Sequence, residues 1–319
     1  MDVSNIETMD HVVYIKNKNR KNLAIYINEF LSIQDSSLYN EFLQKGAVLF
    51  RGFSIESTNK FEALATFFSQ RMTNYKDGNS PRTKLSNNVY TSTEYPKEYV
   101  ITQHNELSYS YHYPSYLLFC CIQPAEVGGQ TPLADGRMIY RDMPAHIVNM
   151  MTEKKLKYIR NLPNKIGFGK TWQKTFETED KVEVENFLNN NKTDFVWLKD
   201  GSIRLEQIGL VTIQHPVTQE IVWFNQPAQF HPAAMPETIN EALKTIYGDD
   251  PKNYPHHVVY GDNSEIKPET LSVIQTVIDK HTKTFTWEKG DILLVDNILL
   301  SHGRLPYSGV RKVLVSCLK

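Results

Sequence analysis

His104 and Glu106 stand two positions apart in "QHNELSY" (residues 103–109), and His302 lies far downstream in "LLSHGRLP". The first pair admits two readings: a surface turn with ordinary polar residues, or two arms of a metal site. His-x-Glu alone is common in chains of this length. Two imidazoles and one carboxylate, with the third donor remote in sequence, fit a facial triad on Fe(II). Such a triad leaves three positions open for a chelating cosubstrate and O2. Imidazole nitrogen suits Fe(II), and one anionic oxygen lowers the net charge of the site. On a strand, residues i and i+2 point to the same side, so His104 and Glu106 could reach one ion together.

These residues need strands to position them. "EYVIT", just before the first pair, reads as a strand heading for the core. His302 follows the apolar run "GDILLVDNILL"; a Pro/Ser/Gly turn then leads to a strand that begins near Arg311. If those two strands pair, His302 and Arg311 come close, because neighbouring strands lie about 4.8 Å apart. "GAVLFRGF" (46–53) and "SYLLFCCI" (115–122) are further strands. An Asp-Gly hairpin signal sits at 200–201, and a second hairpin turns near "PVTQ" within 210–226. Helical spacing is expected twice in 22–45, and over 58–70, 182–191, 236–248 and 267–282. The last two open on proline or close on glycine. Residues 75–99 read as one long loop, of the kind that is often functional. No repeat or linker interrupts the chain. The expectation is one domain, 1–319, mainly β with flanking helices around a sandwich or barrel core.

Composition narrows the classes. The chain has 319 residues, net charge −1, 40% hydrophobic and 22% charged residues, all ordinary for a globular protein. Near-zero charge gives no argument for a nucleic-acid partner, and the basic run "KNKNRK" (16–21) reads as a solvated face. No apolar run approaches the roughly 20 residues that span a bilayer, and the N-terminus lacks the pattern of a signal peptide. Three cysteines, Cys120, Cys121 and Cys317, do not form a disulfide framework. They read as small buried hydrophobes in a reducing compartment, so a cytoplasmic location is expected.

Several stretches together carry a resemblance. "TSTEYPKEYVITQHNELSY", "LLFCCIQPAEVGGQTPLADGR", "IVWFNQ" and "GDILLVDNILLSHGRLPYSGVRKVLVS" occur in the order and at the separations of the clavaminate synthase-like, taurine dioxygenase family of Fe(II)/2-oxoglutarate oxygenases. The chain is most similar to the branch that includes the syringomycin-pathway aspartate hydroxylase. The resemblance covers most of the chain after about residue 90. It implies a double-stranded β-helix (jelly-roll) core. It implies iron bound by His104, Glu106 and His302, and 2-oxoglutarate held by Arg311 and the Thr131 hydroxyl. A planar guanidinium suits a carboxylate because it donates two parallel hydrogen bonds. It implies release of succinate and CO2 and oxidation of an unactivated C–H bond of an amino-acid-like substrate, free or tethered to a peptidyl carrier protein. Many members carry Asp where this chain has Glu106; the hydroxylase branch carries Glu. Related halogenases have a small residue there, so Glu106 argues against halogenation.

The plainer readings stand beside these. His112, His215, His231 and His281 are rival ligands that read equally as core or surface histidines. Asn225, at a strand end, reads equally as a satisfied amide or a substrate contact. Arg304 reads as a solvated turn residue, with a substrate-carboxylate role as the alternative. Tyr109 and Thr93 are candidates for the pocket wall that packing would also explain. Gly128, Gly129 and Pro132 shape the turn that presents Thr131. Desaturation, cyclisation or isonitrile formation would use the same iron, and a noncatalytic jelly-roll binding protein is the third class. Substrate, stereochemistry and oligomeric state, homo-oligomer included, stay open.

Overall fold

The computed structural model describes residues 6–9, 11–17, 23, 27, 37–68, 71, 72, 75–79, 82–86, 89–165 and 169–319. An eight-stranded sheet forms its larger layer, in the order 6–9, 12–16, 47–51, 292–296, 116–123, 312–318, 89–91 and 84–86. Its central strands are buried on both faces, which their sequence dictates: "YLLFCCIQ" and "KVLVSCL" are apolar at nearly every position. Side chains alternate between the faces. Leu118, Cys120, Ile292, Leu294 and Leu314 meet an outer layer that includes Leu38 and Phe42 of helix Ser37–Lys45 and Phe61 and Leu64 of helix Thr58–Phe67. Leu117, Phe119, Cys121, Leu293, Val313 and Val315 meet the inner core.

Across that core lies a four-stranded sheet in the order 282–283, 133–135, 300–304 and 101–104. Leu133, Ala134 and Leu300 supply its share of the same apolar cluster. Phe119 on the large sheet packs edge-on against His302 on the small one, with ring centroids 5.4 Å apart. The two sheets face one another as in a double-stranded β-helix, and the chain is mainly β with flanking helices, as expected. A separate four-stranded sheet (194–197, 203–209, 156–162, 256–260) and helices Glu237–Tyr247 and Pro268–Lys280 complete the described fold.

Both sequence-read hairpins form, as 194–197 with 203–209 and 212–214 with 221–223. Two expectations need correction. Residues 75–99 are not one loop, because strands Lys84–Ser86 and Val89–Thr91 pair there, and the second joins Lys312–Leu318 at the sheet edge. Lys84 and Leu85 are exposed and Ser86 is half-buried, so this strand has no apolar alternation to betray it. The strands that carry His302 and follow Arg311 do not pair with each other either; they belong to opposite sheets. A short bridge of Tyr307–Ser308 to Val127–Gly128 lies between them. Of the helices expected over 22–45, Ser37–Lys45 is present, and the rest falls largely outside the described residues. No helix among the described residues is long and apolar enough to cross a membrane.

Candidate metal centre

His104 closes strand Ile101–His104, and His302 sits directly opposite it in the antiparallel partner Leu300–Arg304. Their rings lie 4.3 Å apart. Just after His302 the register shifts, and Gly303 makes that possible: a Cβ there would stand 2.4 Å from the carbonyl oxygen of Ile101. Glu106 does not reach the pair by strand alternation, because the strand ends at His104. A turn with Leu107 in the left-handed region brings its carboxylate back, to 3.8 Å from His302 Nε2. One donor atom from each of the three residues lies within 4.8 Å of the others, and all three residues are buried.

Asn297, which the sequence reading passed over, fixes that turn. Its Oδ1 accepts the Glu106 N–H at 2.7 Å, and its Nδ2 donates to the carbonyls of Glu106 at 3.1 Å and Pro114 at 2.8 Å. Asn105 Nδ2 in turn donates to the Asn297 carbonyl at 2.7 Å.

The protonation states suit a divalent cation, whose ligands must be deprotonated. Burial lowers the pKa of both histidines, that of His302 well below its usual value with help from His104 and Arg82. Burial works to raise Glu106, but Arg82 and His104 outweigh it and leave the carboxyl below its ordinary value. His104 Nδ1 lies 2.9 Å from the Thr102 carbonyl, which assigns the proton to Nδ1 and leaves the Nε2 lone pair facing the cluster. That Nε2 is buried with no hydrogen-bond partner among the described residues. Such atoms are rare in folded proteins and point to an absent ligand or water. Two neutral imidazoles and one carboxylate with room beside them fit Fe(II).

Arg82 was also missed. Its Nη2 donates to Glu106 Oε2 at 2.5 Å, and the side chains are 2% and 4% exposed. Its guanidinium lies over the Tyr75 ring, 4.2 Å from the centroid. Nothing in the polar, aperiodic run around it signals this pairing.

A small cavity of about 30 Å³ adjoins the cluster, bordered by His104, His302, Thr131 and Arg311. His302 and Arg311 therefore share a site by facing across the core rather than by pairing. Arg311 Nε donates to the Gly129 carbonyl at 3.0 Å, and Nη1 reaches Ser92 Oγ at 3.4 Å. It has no acidic partner among the described residues, and burial with repulsion from Arg304 pushes its pKa down to about 10. Gly129 has φ +72°, and a Cβ there would press on the Arg311 side chain at 3.0 Å. Thr131 Oγ1 accepts from Trp287 Nε1 at 3.0 Å, so its own proton is free to donate.

The remaining candidates separate. Thr93 borders this small cavity and also a much larger one of about 1290 Å³; Arg82 and Ile101 share that position. Arg304 is a buried strand residue, not a solvated turn one. It donates to the carbonyls of Tyr95, Pro96 and Tyr99, and so ties down a wall of the large cavity. Asn225 donates to the Val211 carbonyl and keeps a buried Oδ1 without a partner among the described residues. Tyr109 is in the core, its hydroxyl on the Asp77 carbonyl and its ring against Tyr158 and Phe230. Neither Asn225 nor Tyr109 borders the two cavities. Of the rival histidines, His215 bonds Asp296 and the Thr218 N–H, His281 bonds Asp142, and exposed His112 meets the Tyr111 ring edge-on. His231 clusters with His257 and Glu265. Its Nδ1 accepts the Ala233 N–H, which puts the ring proton on Nε2 and spoils that nitrogen as a ligand.

Comparison with known proteins bears on the family and the fold. The family model described as "Taurine catabolism dioxygenase TauD, TfdA family" matches residues 21–318. The chain is 37% identical to the dapdiamide synthesis protein DdaC of Enterobacter agglomerans, over 86% of this chain and 82% of that one. It is 28% identical, with the same coverage, to a clavaminate synthase-like protein of Arabidopsis thaliana. Among solved structures, PvcB from Pseudomonas aeruginosa superimposes with a TM-score of 0.52 at 11% identity, over 96% of this chain and 85% of that one. AAD-2 in complex with Mn(II) and N-oxalylglycine gives 0.52 at 14% identity, over 98% and 96%. These two likenesses speak for the fold.

Proposed function

The chain belongs to the TauD/TfdA family of Fe(II)- and 2-oxoglutarate-dependent dioxygenases, and from that premise we propose that His104, Glu106 and His302 hold one Fe(II) ion. The observation that carries this is the orphaned Nε2 of His104, buried beside a second neutral imidazole and a carboxylate. With 2-oxoglutarate and O2, the bound iron supplies oxidation of an unactivated C–H bond, releasing succinate and CO2. Arg311 holds the distal carboxylate of 2-oxoglutarate, its guanidinium lacking any acidic partner among the described residues, and Thr131 donates one hydrogen bond.

The substrate is an amino acid or amino-acid derivative of specialised metabolism, and hydroxylation is the outcome. The 37% identity to a dapdiamide synthesis protein supports this. The cavity of about 1290 Å³ is larger than the roughly 300–1,000 Å³ that small ligands occupy. That volume supports an extended substrate, such as an aminoacyl group on a peptidyl carrier protein, over a free amino acid. Substrate contacts fall to Thr93, at the junction of the cavities, ahead of Arg304, whose Nη atoms are occupied. Desaturation, cyclisation or isonitrile formation would differ only in substrate pose. The binding-protein reading expects a lost ligand or a lost Arg311, and both are in place. One domain accounts for the chain, since a single apolar cluster draws on residues from Val12 to Cys317. Three free, buried cysteines support the cytosol as its compartment.

The test has two arms. Mn(II) titration followed by electron paramagnetic resonance should give one site per chain. A mass-spectrometric screen of amino acids and carrier-bound aminoacyl thioesters, with iron, 2-oxoglutarate and O2, should give products one oxygen atom heavier. Full metal occupancy in both His104→Ala and His302→Ala would remove the triad. Turnover of free amino acids in preference to every carrier-bound form would remove the tethered substrate.

A further inference from the structure

Arg82 is anchored at one atom and uncommitted at two. Nη2 is taken by Glu106, while Nε and Nη1 are buried without a hydrogen-bond partner among the described residues. Leaving such groups unpaired costs free energy, more so for a charged group. Burial next to Tyr75 does not satisfy them, and Arg82 borders both cavities. A second cation stands on the same wall. Lys170 Nζ lies 5.9 Å from the Tyr75 centroid, and the only hydrogen bond it makes among the described residues is a long one, 3.3 Å, to the Gly78 carbonyl. Lys170 has no carboxylate within ion-pair distance among the described residues. The nearby Glu177 is committed to Lys84 at 2.6 Å. Asp77 is committed to Arg160 at 2.5 Å. Around Tyr75 the cavity wall therefore carries two cations, and the carboxylates near them, Glu106, Asp77 and Glu177, each already hold an ion pair. Once Glu106 serves a cation, Arg82 shares its one partner.

We propose that Arg82 and Lys170 form an anion subsite that holds a carboxylate of the substrate at the junction between the large cavity and the metal centre. This rests on the metal centre proposed above, and it deepens that reading: the substrate is an acidic acyl group, not a neutral one. Glu106 orients the guanidinium, and the free N–H groups with the Lys170 ammonium receive the carboxylate. Position at the junction sets which carbon of the substrate lies toward the cluster.

The experiment uses the full chain saturated with Mn(II) and N-oxalylglycine, so that the Arg311 subsite is filled. Two pairs of probes are titrated by calorimetry at pH 7: the N-acetyl amides of aspartate and asparagine, and those of glutamate and glutamine. Each pair differs only in a carboxylate against an amide. At least one acid should bind about tenfold or more tighter than its amide. Lys170→Gln, which leaves the Arg82–Glu106 contact in place, should cut that preference several-fold with Mn(II) affinity unchanged. Arg82→Gln should abolish it, and Arg82→Lys should restore part of it. Equal binding of acid and amide, no binding of either acid, or an undiminished preference in both Lys170→Gln and Arg82→Gln overturns the subsite. Mn(II) binding is read separately. If the wild-type chain takes up no metal, the metal centre fails, and the same probe pairs on the metal-free protein still decide the subsite.

Discussion

The proposed metal centre and the wall of the large cavity are built on different principles. The cluster rests on two paired strands and on one turn, with Asn297 bonding both the N–H and the C=O of Glu106. Much of the cavity wall comes from segments outside the two main sheets, 93–100, 169–177 and 228–243, held by scattered contacts such as the three bonds from Arg304. Sites on regular elements keep their geometry more tightly than sites on loops. The difference separates the chemistry, which a family shares, from the choice of substrate, which its members vary.

That contrast can be broken most directly at the cluster. His302→Ala and His104→Ala should each abolish stoichiometric Mn(II) binding while the fold survives, as circular dichroism would record. Glu106→Gly should also reduce hydroxylation sharply, with chlorination weak at most when chloride is supplied; products compared with and without chloride decide it. Wild-type rates in that variant would take Glu106 off the iron.

Asn297→Ala touches none of the three proposed donor atoms but removes the three side-chain hydrogen bonds of Asn297, two of them to Glu106. Each buried group left unpaired costs roughly 1–3 kcal/mol, so urea unfolding should show a loss of about 3 kcal/mol or more. Metal affinity should fall about 10- to 100-fold, as for other supports of metal ligands. A stable variant with unchanged metal affinity would show that the turn holds itself.

Arg311→Lys keeps the charge and loses the forked geometry. Losing about one charged hydrogen bond should weaken 2-oxoglutarate about ten- to a hundredfold, and Arg311→Ala should weaken it further, with metal binding intact in both. Arg304→Ala should instead loosen residues 95–99 and spare 2-oxoglutarate. The reverse pattern in the two arginines would exchange their roles. The smallest effect belongs to the cavity wall. Ile239, half-buried on helix Glu237–Tyr247, should tolerate Ser with under about 1 kcal/mol lost, while affinity for the extended substrate declines.

What the sequence disclosed follows the same division. His104, Glu106, His302, Thr131 and Arg311 lie in contiguous stretches whose order carries the family resemblance, and the structure gathers all five. Arg82 and Asn297 were invisible for a physical reason. Their partners are 24 and 191 positions away; Arg82 lies in a polar, aperiodic run, and Asn297, though inside the quoted "GDILLVDNILL" stretch, reads there only as a polar residue after an apolar strand. The pairing of the final strands was misjudged because a Pro/Ser/Gly turn between apolar runs looks like a hairpin. Only the bridge of 307–308 to 127–128 reveals that the chain there passes from one sheet to the other. Lys84–Ser86 was missed because an exposed edge strand needs no apolar face. The double-sheet core was legible because its central strands are buried on both sides and read as unbroken apolar runs.

The alternation along Tyr116–Gln123 has one more consequence. Cys120 points into the outer layer with the helices, while Cys121 and Cys317 point into the core between the sheets. Burial pushes Cys121 and Cys317 up to about 12, and Cys120 higher still. Only a thiolate attacks an alkylating reagent, so the native chain presents none. The three sulfurs are thus silent reporters set in two separate compartments. If the outer helices peel away while the two sheets stay closed, Cys120 is alkylated first and its neighbour later. If the whole fold opens at once, all three are modified together, and peptide mapping of a timed pulse tells one route from the other.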